Sequence, residues 1–140
     1  MGAWGTGVFE NDDAADWLDE FASDGADKVS EAFDAVIEAA RTGSIDSMDA
    51  SFAMAAAEAV AYAVGTPDPD LDDEVVEAFD ARKDEVAALE GIADRAIAAL
   101  DLIVSDPERS ELLELWEDAD EDDAEAFRET VADLRRRVDG

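Results

Sequence analysis

The chain contains no cysteine, no histidine and only three prolines among 140 residues. Without thiols there can be no disulfide, no cysteine redox chemistry and no thiolate metal site. Without imidazole the ordinary zinc ligand and the physiological-pH base are missing too. Lysine is scarce: Lys28 and Lys83 stand beside eight arginines. These 10 bases face 40 acids, a formal net charge of −30. A surface of that sign repels phosphate, so nucleic acid is excluded as a partner. No run of eighteen apolar residues occurs, and the N-terminus lacks a basic start followed by an apolar stretch. Neither a membrane span nor a secretory signal is expected, and the predicted location is cytoplasmic.

What is present argues for a packed core. Hydrophobic residues make up 48% of the chain, well above what a disordered polyanion carries. Alanine inflates that figure, yet Trp4, Trp17, Trp116 and six phenylalanines remain to fill an interior. The acids are spread along the chain, with aspartate outnumbering glutamate. Carboxylates in excess, with little lysine, fit a protein of high-salt cytoplasm, where a screening length of about 3 Å in molar salt relieves self-repulsion. An ordinary acidic protein from a GC-rich genome is the duller alternative.

The hydrophobic spacing is helical throughout, with no period-2 alternation and no internal repeat. Residues 1–10 (MGAWGTGVFE) hold three glycines and two aromatics and read as a non-helical lead-in. Asn11 or Asp12 is suited to cap a first helix over 13–22, whose apolar face carries Ala14, Trp17, Leu18 and Phe21. A second helix, 26–41, buries Val29, Phe33, Val36 and Ile37, with Gly43 available for a left-handed exit. From Phe52 to Val64 the run FAMAAAEAVAYAV is apolar all round except at Glu58. A helix without a polar face belongs at the centre of a fold. Beyond Gly65–Asp70, a short helix around Leu71–Phe79 precedes a longer one over 84–104, which carries Val86, Leu89, Ala93, Ile97, Leu100 and Val104. Pro107 is suited to the first position of the next helix, which carries Leu112, Leu113, Leu115 and Trp116. Asp122 and Glu125 form a capping-box-like pair for a last helix over 123–138, whose apolar face carries Ala124, Phe127, Val131, Leu134 and Val138. Arg135–Arg137 stand at its C-terminal end, where cations complement the helix dipole. The expected architecture is all-α: one bundle-like domain over residues 1–140 with six or seven helices.

Four constellations carry possible chemistry. Glu58 cannot sit ionised and alone in an apolar helix, so it is paired, hydrogen-bonded or protonated. Its partner is expected to be an arginine or backbone N–H groups of the lead-in. Asp12 and Asp16 share a helical face, and with Asn11 they offer oxygen ligands to a divalent cation. Capping and dipole complementarity at a helix N-terminus are the favoured explanation, because such acid pairs arise often by chance among 40 acids. Asp118, Asp120, Asp122 and Glu129 fall at EF-hand spacing, but Asp123 stands where the loop needs glycine, so no metal site is expected. The glycines around Trp4 and Phe9 lack GxGxxG and a preceding strand, which excludes a dinucleotide loop; Trp4 and Phe9 are expected to plug the bundle.

Three stretches occur in the order and spacing of a known family: WGTGVFENDDAADWL (Trp4–Leu18), AAAEAVAYAVG (Ala55–Gly65) and SELLELWED (Ser110–Asp118). Together they resemble the bacterial and archaeal family called domain of unknown function 4259. The resemblance covers nearly the whole chain and implies a small, stand-alone cytoplasmic protein with no established activity. It places Trp4, Gly5, Phe9, Asn11, Asp12, Asp16, Glu58, Glu111, Leu112, Leu115 and Trp116 on the family's motifs. Trp4, Asn11, Asp12, Asp16, Glu58, Glu111 and Trp116 are the candidate contacts for a partner or ligand. With no cofactor expected and no nucleophile–base arrangement visible, the leading expectation is a non-enzymatic interaction module of immunity or regulatory type. A carboxylate-based enzyme or small-ligand binder is the rival, and a purely structural accessory the third alternative. The discriminating geometry is whether Glu58, Asp12, Asp16 and Glu111 converge on a cavity.

Overall fold

Eleven of the twelve positions of one helix from Ala50 to Ala61 are buried, Phe52 being the exception. This is α3 (Ser47–Ala63), and it touches each of the other six helices among the described residues. The computed structural model describes residues 12–64, 66, 71–105 and 110–139. Alanine at Ala53, Ala55, Ala56, Ala57, Ala59 and Ala61 ends at Cβ, so neighbouring helices approach the α3 backbone closely. Around it stand α1 (Asp12–Asp24), α2 (Asp27–Thr42), α4 (Asp73–Ala87), α5 (Ile92–Ile103), α6 (Glu111–Ala119) and α7 (Glu121–Asp139). The architecture is all-α, and the described helices share one hydrophobic cluster. No described helix is long and apolar enough to cross a membrane.

The outer helices bury the faces that their spacing predicts. Trp17, Phe21, Phe33, Phe79 and Phe127 are each almost wholly buried. Trp17 stacks on Phe21 with centroids 5.1 Å apart, and Phe21 meets Phe79 edge-on at 5.7 Å. Tyr62 continues the string against Phe79 at 5.8 Å, tying α1, α4 and α3 together. Such aromatic pairs each add about 1 kcal/mol beyond the area they bury.

Several boundaries differ from the sequence expectation, each for a local reason. The chain from 71 to 104 does not break near residue 80. α4 continues to Ala87, and the break lies at Gly91, whose φ of +65° is left-handed. Leu89 and Ala93 thus flank a turn, although their spacing mimics a continuous helical face. Gly43 ends α2 with φ 171°, an extended conformation, and its N–H donates to the Ala39 carbonyl at 2.9 Å. The left-handed exit occurs instead after α1, at Gly25, with φ +91°. α6 starts at Glu111, capped by the Ser110 hydroxyl, which accepts from the Leu113 N–H at 3.4 Å. Pro107 lies outside the described residues, as do Asn11 and the lead-in 1–10. α7 starts at Glu121, and Asp120 rather than Asp122 supplies the carboxylate at its head, accepting from the Asp122 N–H at 2.8 Å.

One short-range surprise links distant parts. Ile45 and Ser110 form an isolated parallel bridge, with the Glu111 N–H donating to the Ile45 carbonyl at 2.9 Å. Both residues are fully buried. The link from α2 into α3 is thereby pinned to the head of α6.

Candidate functional site

Glu58 is 1% exposed, on the second turn from the end of α3. The adjacent α7 brings Arg137 over it. Arg137 donates from Nη1 to Glu58 Oε1 at 2.6 Å and from Nη2 to Oε2 at 2.9 Å. Its Nε donates to Asp133 Oδ2 at 2.9 Å, one turn back on the same helix. The Thr66 hydroxyl donates to the Arg137 carbonyl, tying the exit of α3 to the end of α7. Burial opposes the guanidinium charge, but its hydrogen bonds and charge pairing with Glu58 and Asp133 outweigh that, and the Arg137 pKa is raised. Arginine matches a carboxylate with two parallel bonds, which both orients and strengthens the pair. A carboxylate held in this way on both oxygens is poorly placed to accept a proton from a substrate.

The other candidate residues lie elsewhere. Glu111 Oε1 accepts from the Ser47 N–H at 3.4 Å, one of the donors that the first turn of α3 leaves unsatisfied. Ser47 and Glu58 are eleven residues apart on one helix, about 16 Å at 1.5 Å per residue. Glu111 and Glu58 thus serve opposite ends of α3 and do not meet. Asp16 is exposed on α1. Trp116 is half-buried on α6, packed against the core. Asp12 is the first residue of α1; Trp4 and Asn11 lie outside the described residues. Among the described residues no group of three or more acids gathers in a metal-holding arrangement. Asp118 and Asp122 belong to two successive helices with Asp120 between them, so the EF-hand-like spacing forms no ion loop.

The bases are distributed just as tightly. Lys28 is ringed by Glu20 at 3.4 Å, Asp24 at 3.8 Å and Glu31 at 3.9 Å. The hydrogen bond with Glu20, followed by the charge of Glu31, raises its pKa. Arg41 pairs with Glu38, Arg82 with Glu85, Arg95 with Asp34 and Arg135 with Asp101. Arg128 pairs with Glu117 and Arg136 with Asp133. Lys83 sits 6.0 Å from the centre of the Tyr62 ring, whose hydroxyl donates to Asp80 at 3.2 Å. Every described base is thus engaged within the chain, and the remaining exposed charge is carboxylate.

Among the clefts on the described surface are two that α1 forms with its neighbours. One, of about 210 Å³, lies among α1, α2 and α3 and is lined by Trp17, Lys28, Asp49 and Phe52 among others. The second, of about 300 Å³, lies between α1 and α4. Neither takes in Glu58, Asp16, Glu111 or Trp116.

Arg137 and Asp133 were not singled out from the sequence. The signal was present: Arg137 falls three residues after Leu134, at the edge of the buried face of α7, whereas Arg135 and Arg136 point away from it.

These features define an all-α protein built on an alanine-walled central helix, with its one described buried carboxylate committed to an arginine. It belongs to the family described as Domain of unknown function (DUF4259), whose family model matches residues 2–130. Glu58 lies within that span and Arg137 beyond it. No curated protein and no solved structure matches the chain.

Proposed function

We propose that this chain is a non-enzymatic protein-interaction module of the cytoplasm, immunity-like or regulatory, whose partner is basic. The observation that carries the reading is the disposition of charge. The described arginines and lysines are engaged internally, so the described surface offers carboxylates to a complementary cationic face. Such complementarity steers encounter and selects among partners more than it adds affinity. Glu58, the acid most suited to chemistry by burial, is instead locked to Arg137, and Glu111 caps α3. Adaptation to a salt-rich cytoplasm belongs to the same reading, because the unpaired acids repel one another unless screened.

Affinity capture with the tagged chain across graded KCl, up to molar concentration, tests the proposal. Recovery of one basic protein in stoichiometric amount, weakened by rising salt but retained at molar KCl, supports it. Recovery of no stoichiometric partner, or of a partner held equally by an acid-neutralised variant, overturns it.

A further inference from the structure

The cleft between α1 and α4 combines a small-residue floor with an acidic rim. On α4, Glu74, Glu77, Ala78 and Ala81 follow one another at helical spacing and lie along one face. On α1, Leu18 and Ala22 stand opposite, one turn apart. Leu18 is 6% exposed and closes the floor. Ala22 and Ala81 are exposed and Ala78 half-buried, and because these chains end at Cβ the seam between the helices is left unfilled. The volume, about 300 Å³, is at the lower end of the range for small-molecule sites, about 300–1,000 Å³. An open trough of that size suits an inserted side chain better than an enclosed ligand.

The rim carries one sign of charge. Asp19, Glu74 and Glu77 are exposed, and none makes an ion pair among the described residues. Arg82 closes the end of the seam, but it is neutralised there. Its Nη1 pairs with Glu85 at 3.0 Å and its Nη2 donates to the Ala22 carbonyl at 3.0 Å.

We infer that this trough is the docking site for a cationic amphipathic helix of the partner protein. An apolar side chain of that helix seats over Leu18, Ala22, Ala78 and Ala81. Its flanking lysines or arginines meet Asp19, Glu74 and Glu77. This is the helix-in-groove mode of recognition, with charge setting register. The inference rests on the interaction reading above and adds the face and the partner's chemistry.

A fluorescein-labelled amphipathic peptide, with leucines on one helical face and lysines flanking them, is the probe. Saturable binding to the full chain is expected by fluorescence anisotropy. The pair Glu74→Lys with Glu77→Lys should weaken it about tenfold. Ala81→Trp, at an exposed position, should weaken it comparably by filling the trough, with helical content by circular dichroism unchanged. The pair Glu125→Lys with Glu129→Lys, an equal charge change on α7, should leave affinity within about twofold. Equal loss from both charge-reversed pairs, or full affinity in Ala81→Trp, overturns the trough as the site. A partner recovered by affinity capture that binds Ala81→Trp as tightly as the parent chain also overturns the trough, while the interaction reading stands. Absence of any stoichiometric partner in the capture overturns the interaction reading itself.

Discussion

Glu58 and Arg137, 79 positions apart in sequence, meet through two parallel bonds of 2.6 and 2.9 Å between α3 and α7. With Glu58 1% exposed and Arg137 14% exposed, water contributes little to solvating either charge. Removing one member of such a pair takes the main counter-charge from a buried ion, which typically costs about 3–5 kcal/mol. Glu58→Met and Arg137→Met should each destabilise the chain by about 3 kcal/mol in denaturant titrations. The double variant Glu58→Met with Arg137→Met should lose less than either single change. A double variant as unstable as the sum of the singles would show that the pair itself contributes nothing.

The net charge of −30 predicts a strong salt response. Raising KCl from dilute buffer to molar concentration should lift the melting temperature by about 10 °C, equivalent to a few kcal/mol at this size. A midpoint independent of KCl would remove the case for salt adaptation.

Asp49 predicts a pH response of definite sign. Its burial, and then the charge of Asp46, raise the Asp49 carboxyl above its ordinary value of 3.8. The folded chain therefore binds that proton more tightly than the unfolded chain does. Stability falls as pH rises from 3.8 through the raised value and is level above it. Asp49→Asn should raise the melting temperature at neutral pH and shrink the gain on mild acidification. An Asn variant with the parent's pH profile would show that Asp49 titrates alike in both states.

Two left-handed glycines separate conformational strain from crowding. A Cβ on Gly25 would come within 2.9 Å of Glu85 Oε1 and 3.1 Å of Arg82 Nη1, at φ +91°. Gly91, at φ +65°, has nothing within 4 Å of such a Cβ. Gly91→Ala should cost about 1 kcal/mol from backbone conformation alone. Gly25→Ala should cost more, about 2 kcal/mol, because it also displaces Arg82 from the Ala22 carbonyl. Equal losses in thermal melts would show that the Arg82 clamp gives way freely.

Glu111 distinguishes a cap from a contact. Glu111→Gln retains the acceptor for the Ser47 N–H and should be nearly neutral, whereas Glu111→Ala should cost about 0.5–1 kcal/mol. If the Ala variant keeps full stability but loses partner capture, Glu111 is a contact rather than a cap.

The helical content and the central position of α3 were legible, because an all-apolar helix has one place to go. Trp17, Phe21, Phe33 and Phe127 were readable as core for the same reason: their spacing leaves each on a single face. Leu89 and Ala93 misled, since helical periodicity runs on across a turn and only Gly91 marks the interruption. The head of α6 is capped by Ser110, and that of α7 was set by Asp120, a short polar group that outweighed the Asp122–Glu125 pair as a start signal. The Glu58 requirement for a partner was legible, including arginine as one solution. Which arginine was not, because the packing of α7 on α3 is a long-range outcome that no local spacing encodes. Nor could the sequence reveal that Glu111 works at the far end of α3, since that depends on the Ile45–Ser110 bridge.

The alanine walls of α3 make Cβ the gauge that sets how far each neighbour stands from the central axis. A longer side chain at Ala55, Ala56 or Ala57 would push an entire helix outward, whereas exchanges on the acid-bearing faces leave every axis in place. Interior and exterior can therefore diverge at different speeds. A lineage moving between saline and dilute surroundings can rewrite its outer residues one at a time, keeping the same frame and with it the same set of surfaces on display.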